Sequence, residues 1–460
     1  MEINFDGALE RARSLDKYYQ TNGKPIGPLH GVPMTVKDQF NLKGFDTTLG
    51  YVGMAYKPAG DDAVLVQILQ DLGAVVIAKT NLPQSIMRFW IFSNIKKWCE
   101  TESILFGLTT NPRNPAFTPG GSTGGEGALL ALKGSIVGWG TDIGGSVRIP
   151  SHINGLYGLK PTSARMPYQG VPVSTEGQEH VPSAIGPLTR SLSSLTTITK
   201  AVIDAQPWLL DPRVVPIPWR DEIYREVQSR PLVIGVMYDD GVVKPHPPIE
   251  RALKELVARL KAAGHELVDW EPTLHKECMH AMDTFYTVDG CEDVRRAIEA
   301  GGEPYIPHVQ ALVNRGKAIS VYEYWQLNKE KVALQKAYLD RWNKAKGPVS
   351  GKVVDILLTP TMPHCAVPHR TARWVGYTKV WNVLNYSALS FPAGTVSAEK
   401  DPLPSPPYQP RSDLDSFNWN LYDPVTMDGH PIGLQIIGRG FEEEKVLGVA
   451  KVFEKLIKGN

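Results

Sequence analysis

Apolar positions recur along the chain with two different periods, and the switch between them is the first guide to structure. Phe5, Ala8, Leu9, Ala12, Leu15 and Tyr19 fall at helical spacing and predict one amphipathic helix at the start. Gly31–Val36 is a short apolar run that predicts a buried strand leading into Lys37-Asp38. Val64, Ile68, Leu69 and Leu72 return to the helical period, with Asp61 or Asp62 as the candidate cap and Gly73 as the stop. Ala74–Ala78 then reads as a strand. A similar unit lies at 247–271: Pro247-Pro248 opens a helix carrying Leu253, Leu256, Val257 and Leu260, Gly264 ends it, and Glu266–Trp270 is extended.

The same reading gives a helix over Gly125–Lys133 and a strand over Ser135–Trp139. Leu188, Leu192, Leu195, Ile198 and Val202 form one helical stripe. Val353–Leu358 and Ile432–Ile437 are β-like, and a last helix spans 441–457 with Val446, Leu447, Ala450, Phe453 and Ile457 on one face. Residues 399–412 carry five prolines and several charges and read as a surface loop. Helix alternating with strand implies α/β layering. With no internal repeat and no clean boundary, the expectation is one large α/β domain over 1–460.

Composition narrows the class. Of 460 residues 42% are hydrophobic and 21% charged, as in ordinary folded proteins. Gly 42 and Pro 37 make about 17% of the chain, below the level of low-complexity disorder. Lys+Arg 49 against Asp+Glu 48 leaves +1, so no bulk field draws the chain to nucleic acid or anionic lipid. Collagen, coiled coil, disordered tails and disulfide mini-scaffolds are excluded. Cys99, Cys278, Cys291 and Cys365 are too scattered for a disulfide framework, and no CxxC occurs. The run His275-Lys-Glu-Cys278-Met-His280 holds three candidate metal ligands, but a partly exposed helix face is the plainer reading. The charged start MEINFDGALERAR lacks a signal-peptide core, and no run of 18 apolar residues exists, so a cytoplasmic enzyme is the default.

Three segments carry candidate chemistry. In Gly31-Val-Pro-Met-Thr-Val-Lys37-Asp38, a lysine directly after an apolar strand can enter a low-dielectric site, where burial disfavours the ammonium and frees a base. In Pro119-Gly-Gly-Ser122-Thr-Gly-Gly125-Glu126, glycines flank a serine and allow a sharp turn and close approach. Gly120–Gly124 matches GxSxG, yet the prolines of Asn114-Pro-Ala-Phe-Thr-Pro119 argue against the strand that a nucleophile elbow follows. A phosphate cradle lacks its Lys-Ser/Thr ending, so a structural turn is the local reading. In Gly138-Trp-Gly-Thr-Asp142-Ile-Gly-Gly-Ser146-Val-Arg148-Ile-Pro150, consecutive N–H groups around Gly144-Gly145 can converge as an anion nest or oxyanion hole, with Ser146 at its edge. Asp142 and Arg148 can pair to hold that turn; the alternative is a tight turn with an exposed serine.

Together, in this order, these segments resemble the amidase signature family. The likeness runs from about residue 3 to about 457 and includes Ala78-Lys79-Thr-Asn81, Pro83-Gln84, Gly158-Leu-Lys160-Pro161-Thr162, Gly186-Pro187 and Gly433-Leu-Gln435-Ile-Ile-Gly438. Trp381-Asn-Val-Leu-Asn385-Tyr-Ser-Ala and Gly429-His-Pro-Ile-Gly433 look like the branch of fungal general amidases and fatty acid amide hydrolase. The resemblance implies a large mixed, twisted β-sheet covered by helices on both faces. It implies Ser146 as nucleophile, Ser122 as bridge to Lys37, and a cis Gly121–Ser122 peptide. The N–H groups of Ile143, Gly144, Gly145 and Ser146 would bind the oxyanion, and Met87 would line the acyl pocket. An amide would be cleaved through an acyl-enzyme with no metal or cofactor. His30 and His152 are then structural, and a Ser–His–Asp triad is the wrong search. Oligomeric state stays open, a homodimer included.

Two departures from the family pattern bear on activity. About ten residues, Arg88-Phe-Trp-Ile-Phe-Ser-Asn-Ile-Lys-Lys97, look additional between Met87 and Trp98. They read either as an insertion beside the acyl pocket or as translated intron sequence, the second being preferred. The family branch also carries a helical region before the segment equivalent to Glu2–Leu9, where this sequence begins. Besides a serine amidohydrolase, the pattern therefore leaves a catalytically impaired amidase-fold protein and, less well matched around Tyr377–Tyr386, the A subunit of a tRNA-dependent amidotransferase.

Overall fold

The computed structural model describes residues 2–86, 99–314 and 316–459. Its strands, in chain order, are β1 (Glu2–Ile3), β2 (Pro33–Lys37), β3 (Val75–Thr80), β4 (Glu102–Ser103), β5 (Gly107–Leu108), β6 (Val137–Asp142), β7 (Tyr157–Lys160), β8 (Ala184–Thr189), β9 (Val233–Val236), β10 (Glu266–Asp269), β11 (Ile356–Pro360), β12 (Ser387–Thr395) and β13 (Pro431–Gly438). Apart from the small β4–β5 hairpin they form one 11-stranded sheet, in the order β1-β3-β2-β6-β8-β7-β12-β13-β11-β9-β10. The sheet is mixed: β2 runs parallel to both β3 and β6, and β9 to both β10 and β11, whereas β6–β8, β12–β13 and β11–β13 are antiparallel.

Both faces of the sheet are covered. Leu358 on β11 and Ile436 on β13 join a core with Leu253 and Leu256 of the helix Pro247–Ala262 and Phe453 of the helix Glu443–Lys458. Their neighbours Leu357 and Ile437 enter a second core with Tyr338 and Trp342 of the helix Val321–Lys344 and with Trp381. Adjacent strand residues point to opposite faces, so one strand feeds two cores. The apolar runs in β11 and β13 are continuous for that reason.

Several sequence expectations shift. The first helix is present as Phe5–Asn22, closed by Gly23 in the left-handed conformation, but only Ala8 and Leu15 of its stripe are buried; Phe5 is 61% exposed. The helix Val64–Asp71 is preceded by Ala63 and has no side-chain cap; the Asp62 carboxylate instead accepts from the Lys43 N–H at 2.7 Å. Leu188 lies in β8, outside the helix Leu192–Asp204, because Thr189-Arg190-Ser191 separates two elements that share its spacing. The strand expected at Ser135–Trp139 runs over Val137–Asp142, which places Thr141 and Asp142 at its end. The run His275–His280 lies on the helix His275–Phe285 and is partly exposed as expected, with His275 and Cys278 on its buried side. The His275 ring meets Tyr338 Oη at 3.1 Å. Among the described residues no group of three His, Cys, Asp or Glu side chains is placed to hold a metal ion. No helix among them is long and apolar enough to cross a membrane.

Candidate active site

The parallel strands β2 and β6 end side by side, with Val36 paired to Trp139. In such sheets ligands gather beyond the carboxyl ends of the strands. Lys37 is the last residue of β2 and is fully buried. Its Nζ donates to Ser122 Oγ at 2.8 Å and to Thr141 Oγ1, on the end of β6, at 3.0 Å. Ser122 comes from the glycine-rich turn before the helix Gly124–Ala131, and the Gly121–Ser122 peptide is cis. Glycine is required at 121 because a Cβ there would stand 2.5 Å from the Glu100 carbonyl oxygen. No strand leads directly into this turn, unlike a hydrolase nucleophile elbow.

Ser146 lines the cavity that Ser122 faces. Ser122, Thr141, Ile143 and Ser146 all line one cavity of about 430 Å³. Ser146 is 7% exposed, and no hydrogen bond of its hydroxyl is present among the described residues. The structure thus joins Lys37 to Ser122 directly and brings Ser146 and Ser122 to one cavity. Ile86 also lines the cavity. Met87 and the segment 88–97 lie outside the described residues.

The turn Ile143–Ser146 is held from behind. Arg148 and Asp142 are both fully buried and pair at 2.9 Å. Arg148 also donates to the Thr378 carbonyl at 3.0 Å, to Asn382 Oδ1 at 2.7 Å and to Gln435 Oε1 at 3.3 Å. Burial alone would raise the Asp142 carboxyl; the adjacent guanidinium overrides it and holds Asp142 well below the ordinary carboxylate range. Asp142 Oδ1 accepts from the Gly145 N–H at 2.7 Å. That bond engages one of the four N–H groups expected to face an oxyanion and leaves those of Ile143, Gly144 and Ser146. Thr378 Oγ1 donates to the Gly144 carbonyl at 2.7 Å, and Tyr286 Oη to the Ile143 carbonyl at 3.2 Å. Across a trans peptide the N–H points away from the carbonyl. Fixing the Ile143 carbonyl therefore also fixes the direction of the Gly144 N–H.

Glu126, in the first turn of the helix Gly124–Ala131, is buried and accepts from Thr35 Oγ1 at 2.5 Å and Thr80 Oγ1 at 2.8 Å. Burial pushes its carboxyl up to about 8, against the pull of those hydroxyls and of Lys37. His152 bridges backbone groups of Gly433 and His364 at 3.0 and 2.8 Å, a structural role.

Sequence reasoning missed Thr141, Gln39, Glu126, Thr378 and Tyr286. Period-2 alternation from Thr35 and Lys37 points at Gln39, which lines the cavity. Thr141 stood inside a quoted motif beside a more conspicuous aspartate. Tyr286 and Thr378 are distant in the chain and leave no local signal.

Comparison with known proteins adds the following. The profile of the family described as Amidase matches residues 1–447. The chain is 58% identical to Amidase 1 of Gibberella moniliformis over 456 residues, 99% of this chain and 85% of that protein. It is 39% identical to the acetamidase of Emericella nidulans, over 98% of this chain and 81% of that one. Among solved structures, fatty acid amide hydrolase superposes with a TM-score of 0.91 at 34% identity, covering 99% of this chain and 78% of that chain.

Proposed function

The chain belongs to the amidase family, and on that premise we propose that it is a serine amidohydrolase, cleaving a carboxylic amide to the acid and ammonia or an amine through an acyl-enzyme. The observation that carries this reading is the 2.8 Å contact of buried Lys37 with Ser122, on a cavity that Ser122 shares with Ser146.

Neutral Lys37 takes the Ser122 proton while Ser122 receives that of Ser146, and Ser146 Oγ attacks the amide carbonyl. The tetrahedral oxyanion is stabilised by the N–H groups of the turn, foremost Ile143, Gly144 and Ser146. Loss of one such donor typically costs about 2.7–4 kcal/mol. Gly145, whose N–H donates to Asp142 at 2.7 Å, shapes the turn. Collapse of the intermediate needs a proton on the leaving nitrogen, since an amine anion is a poor leaving group, and Ser122 delivers it. Water then attacks the acyl-enzyme with the same groups acting in reverse. Each step uses side chains and backbone of this chain alone, without metal or cofactor. The substrate is a small amide, its acyl part beside Ile86, with Met87 in the pocket-lining role that the family resemblance implies. The cavity of about 430 Å³ lies within the roughly 300–1,000 Å³ common for small-molecule sites. We read 1–460 as one amidase domain working in the cytoplasm.

A fluorophosphonate probe tests the assignment. The native chain should label covalently, and Ser146→Ala should abolish both labelling and turnover. A pure, folded protein that neither labels nor hydrolyses any of a panel of short, aromatic and fatty amides would sink it and favour a catalytically impaired amidase.

A further inference from the structure

Two of the groups that Lys37 contacts are hydroxyls, and the proposed relay requires them to play opposite parts. Ser122 must be able to donate toward the neutral amine, whereas Thr141 must not compete for the same lone pair. The direction of each hydrogen bond follows from the chemistry of the groups around Gln39. Pro172 presents a carbonyl oxygen, which only accepts, so the end of the Gln39 amide 2.9 Å from it is Nε2. The same Nε2 lies 3.3 Å from Tyr168 Oη. The other end, Oε1, stands 2.8 Å from Thr141 Oγ1. An amide oxygen only accepts, so the single hydroxyl hydrogen of Thr141 goes to Gln39. Thr141 Oγ1 is left with lone pairs alone toward Lys37 Nζ at 3.0 Å. An amine in this position keeps an N–H on Thr141.

We propose that Gln39 is a positioning residue: it fixes the direction of the Thr141–Lys37 hydrogen bond so that the neutral amine turns its lone pair toward Ser122. The proposal rests on the Ser146–Ser122–Lys37 relay. Without the Gln39 amide, the Thr141 hydroxyl is free to rotate and donate to the Lys37 lone pair. Ser122 then meets a base that is already engaged, and proton transfer slows. The effect passes wholly through the Thr141 hydroxyl, so it disappears when that hydroxyl is absent.

The test is a double-mutant cycle, read as the second-order rate of fluorophosphonate labelling of the full chain from pH 6 to pH 10. Gln39→Met should slow labelling about tenfold on the alkaline plateau, the effect of one misdirected hydrogen bond. In a Thr141→Val background, which keeps the shape and removes the hydroxyl, Gln39→Met should change the rate less than about twofold. An equal loss in both backgrounds, or no loss in the chain that retains Thr141, overturns the proposal. Lys37→Ala separates the two levels of argument. If Lys37→Ala labels as fast as the native chain, the relay itself is wrong. If it is slow while the cycle is additive, only the role of Gln39 falls. Melting temperatures measured in parallel exclude misfolding as the cause, and Gln39→Leu replaces Gln39→Met in the same cycle should the methionine variant not fold.

Discussion

Thr141 and Asp142 are neighbours on β6, yet the networks they enter follow opposite rules. Thr141 belongs to a set of neutral hydrogen-bonding groups: the hydroxyl of Ser122, the Lys37 amine in its neutral form, and the amide of Gln39, which sets the direction. Asp142 belongs to a clasp of full charges, with the Arg148 guanidinium fully buried against it. Near the clasp, burial first and the positive charge of Arg148 second pull the Lys160 ammonium down to about 7, while Asp142 and Glu443 draw it back up. Its Nζ donates to the Pro161 carbonyl at 3.0 Å. A relay needs acids and bases close enough in strength for a proton to move either way. A clasp needs the reverse, partners so unequal that none moves. In the proposed mechanism, placing both within two adjacent residues lets a mobile proton sit on a fixed backbone turn.

That division makes its largest prediction at Lys37. Lys37→Ala should lower amide turnover roughly a thousandfold while leaving the melting temperature close to native, measured by steady-state kinetics and calorimetry. Removing the clasp should do the opposite. Arg148→Met leaves the Asp142 carboxylate buried without its partner and should cost about 3–5 kcal/mol of stability in denaturant unfolding. Its rate per folded molecule should fall far less than that of Lys37→Ala. If Arg148→Met left stability intact and cut the rate as deeply, the two networks would not be separate.

The smallest effect sharpens the boundary between them. Glu126, on the back of the relay, is held near 8 against an ordinary value of 4.5. A group whose folded value is raised contributes stability that is whole below the unfolded value and is lost as pH rises through the folded one. The native chain should therefore lose a few degrees of melting temperature, relative to Glu126→Gln, between pH 5 and pH 8. Parallel melting curves of the two proteins across that range would remove Glu126 from the account.

Much of this was legible in the sequence, and what was legible was local. Lys37, Ser122 and Ser146 stand in motifs whose glycines and strand ends announce a turn, and short apolar runs placed β2, β11 and β13 to within a few residues. The helices between 275 and 344 were read only for their metal-like run, although their buried apolar side chains enter one core with Tyr377 and Trp381. The groups that aim the turn were invisible for a physical reason. Tyr286 and Thr378 act through backbone carbonyls more than 140 and 230 positions away. A carbonyl has no residue identity, so no pattern of letters records that bond. Gln39 was within reach, since only the direction of its amide needed coordinates.

Arg148 ties Asp142 to Thr378, Asn382 and Gln435, the last of these on β13 near the end of the chain. During synthesis the proposed nucleophile and its base emerge early, but the side chains that lock the turn emerge some 230 to 290 residues later. Long-range closures of this kind are slow and leave the growing chain exposed in the interval. The ribosome therefore releases a chain whose proposed nucleophile is present from the first third of translation, whereas the Arg148 network around its turn is completed only with the last. A nascent chain stopped short of Gln435 carries every group of the proposed relay but lacks the contact that completes the Arg148 network.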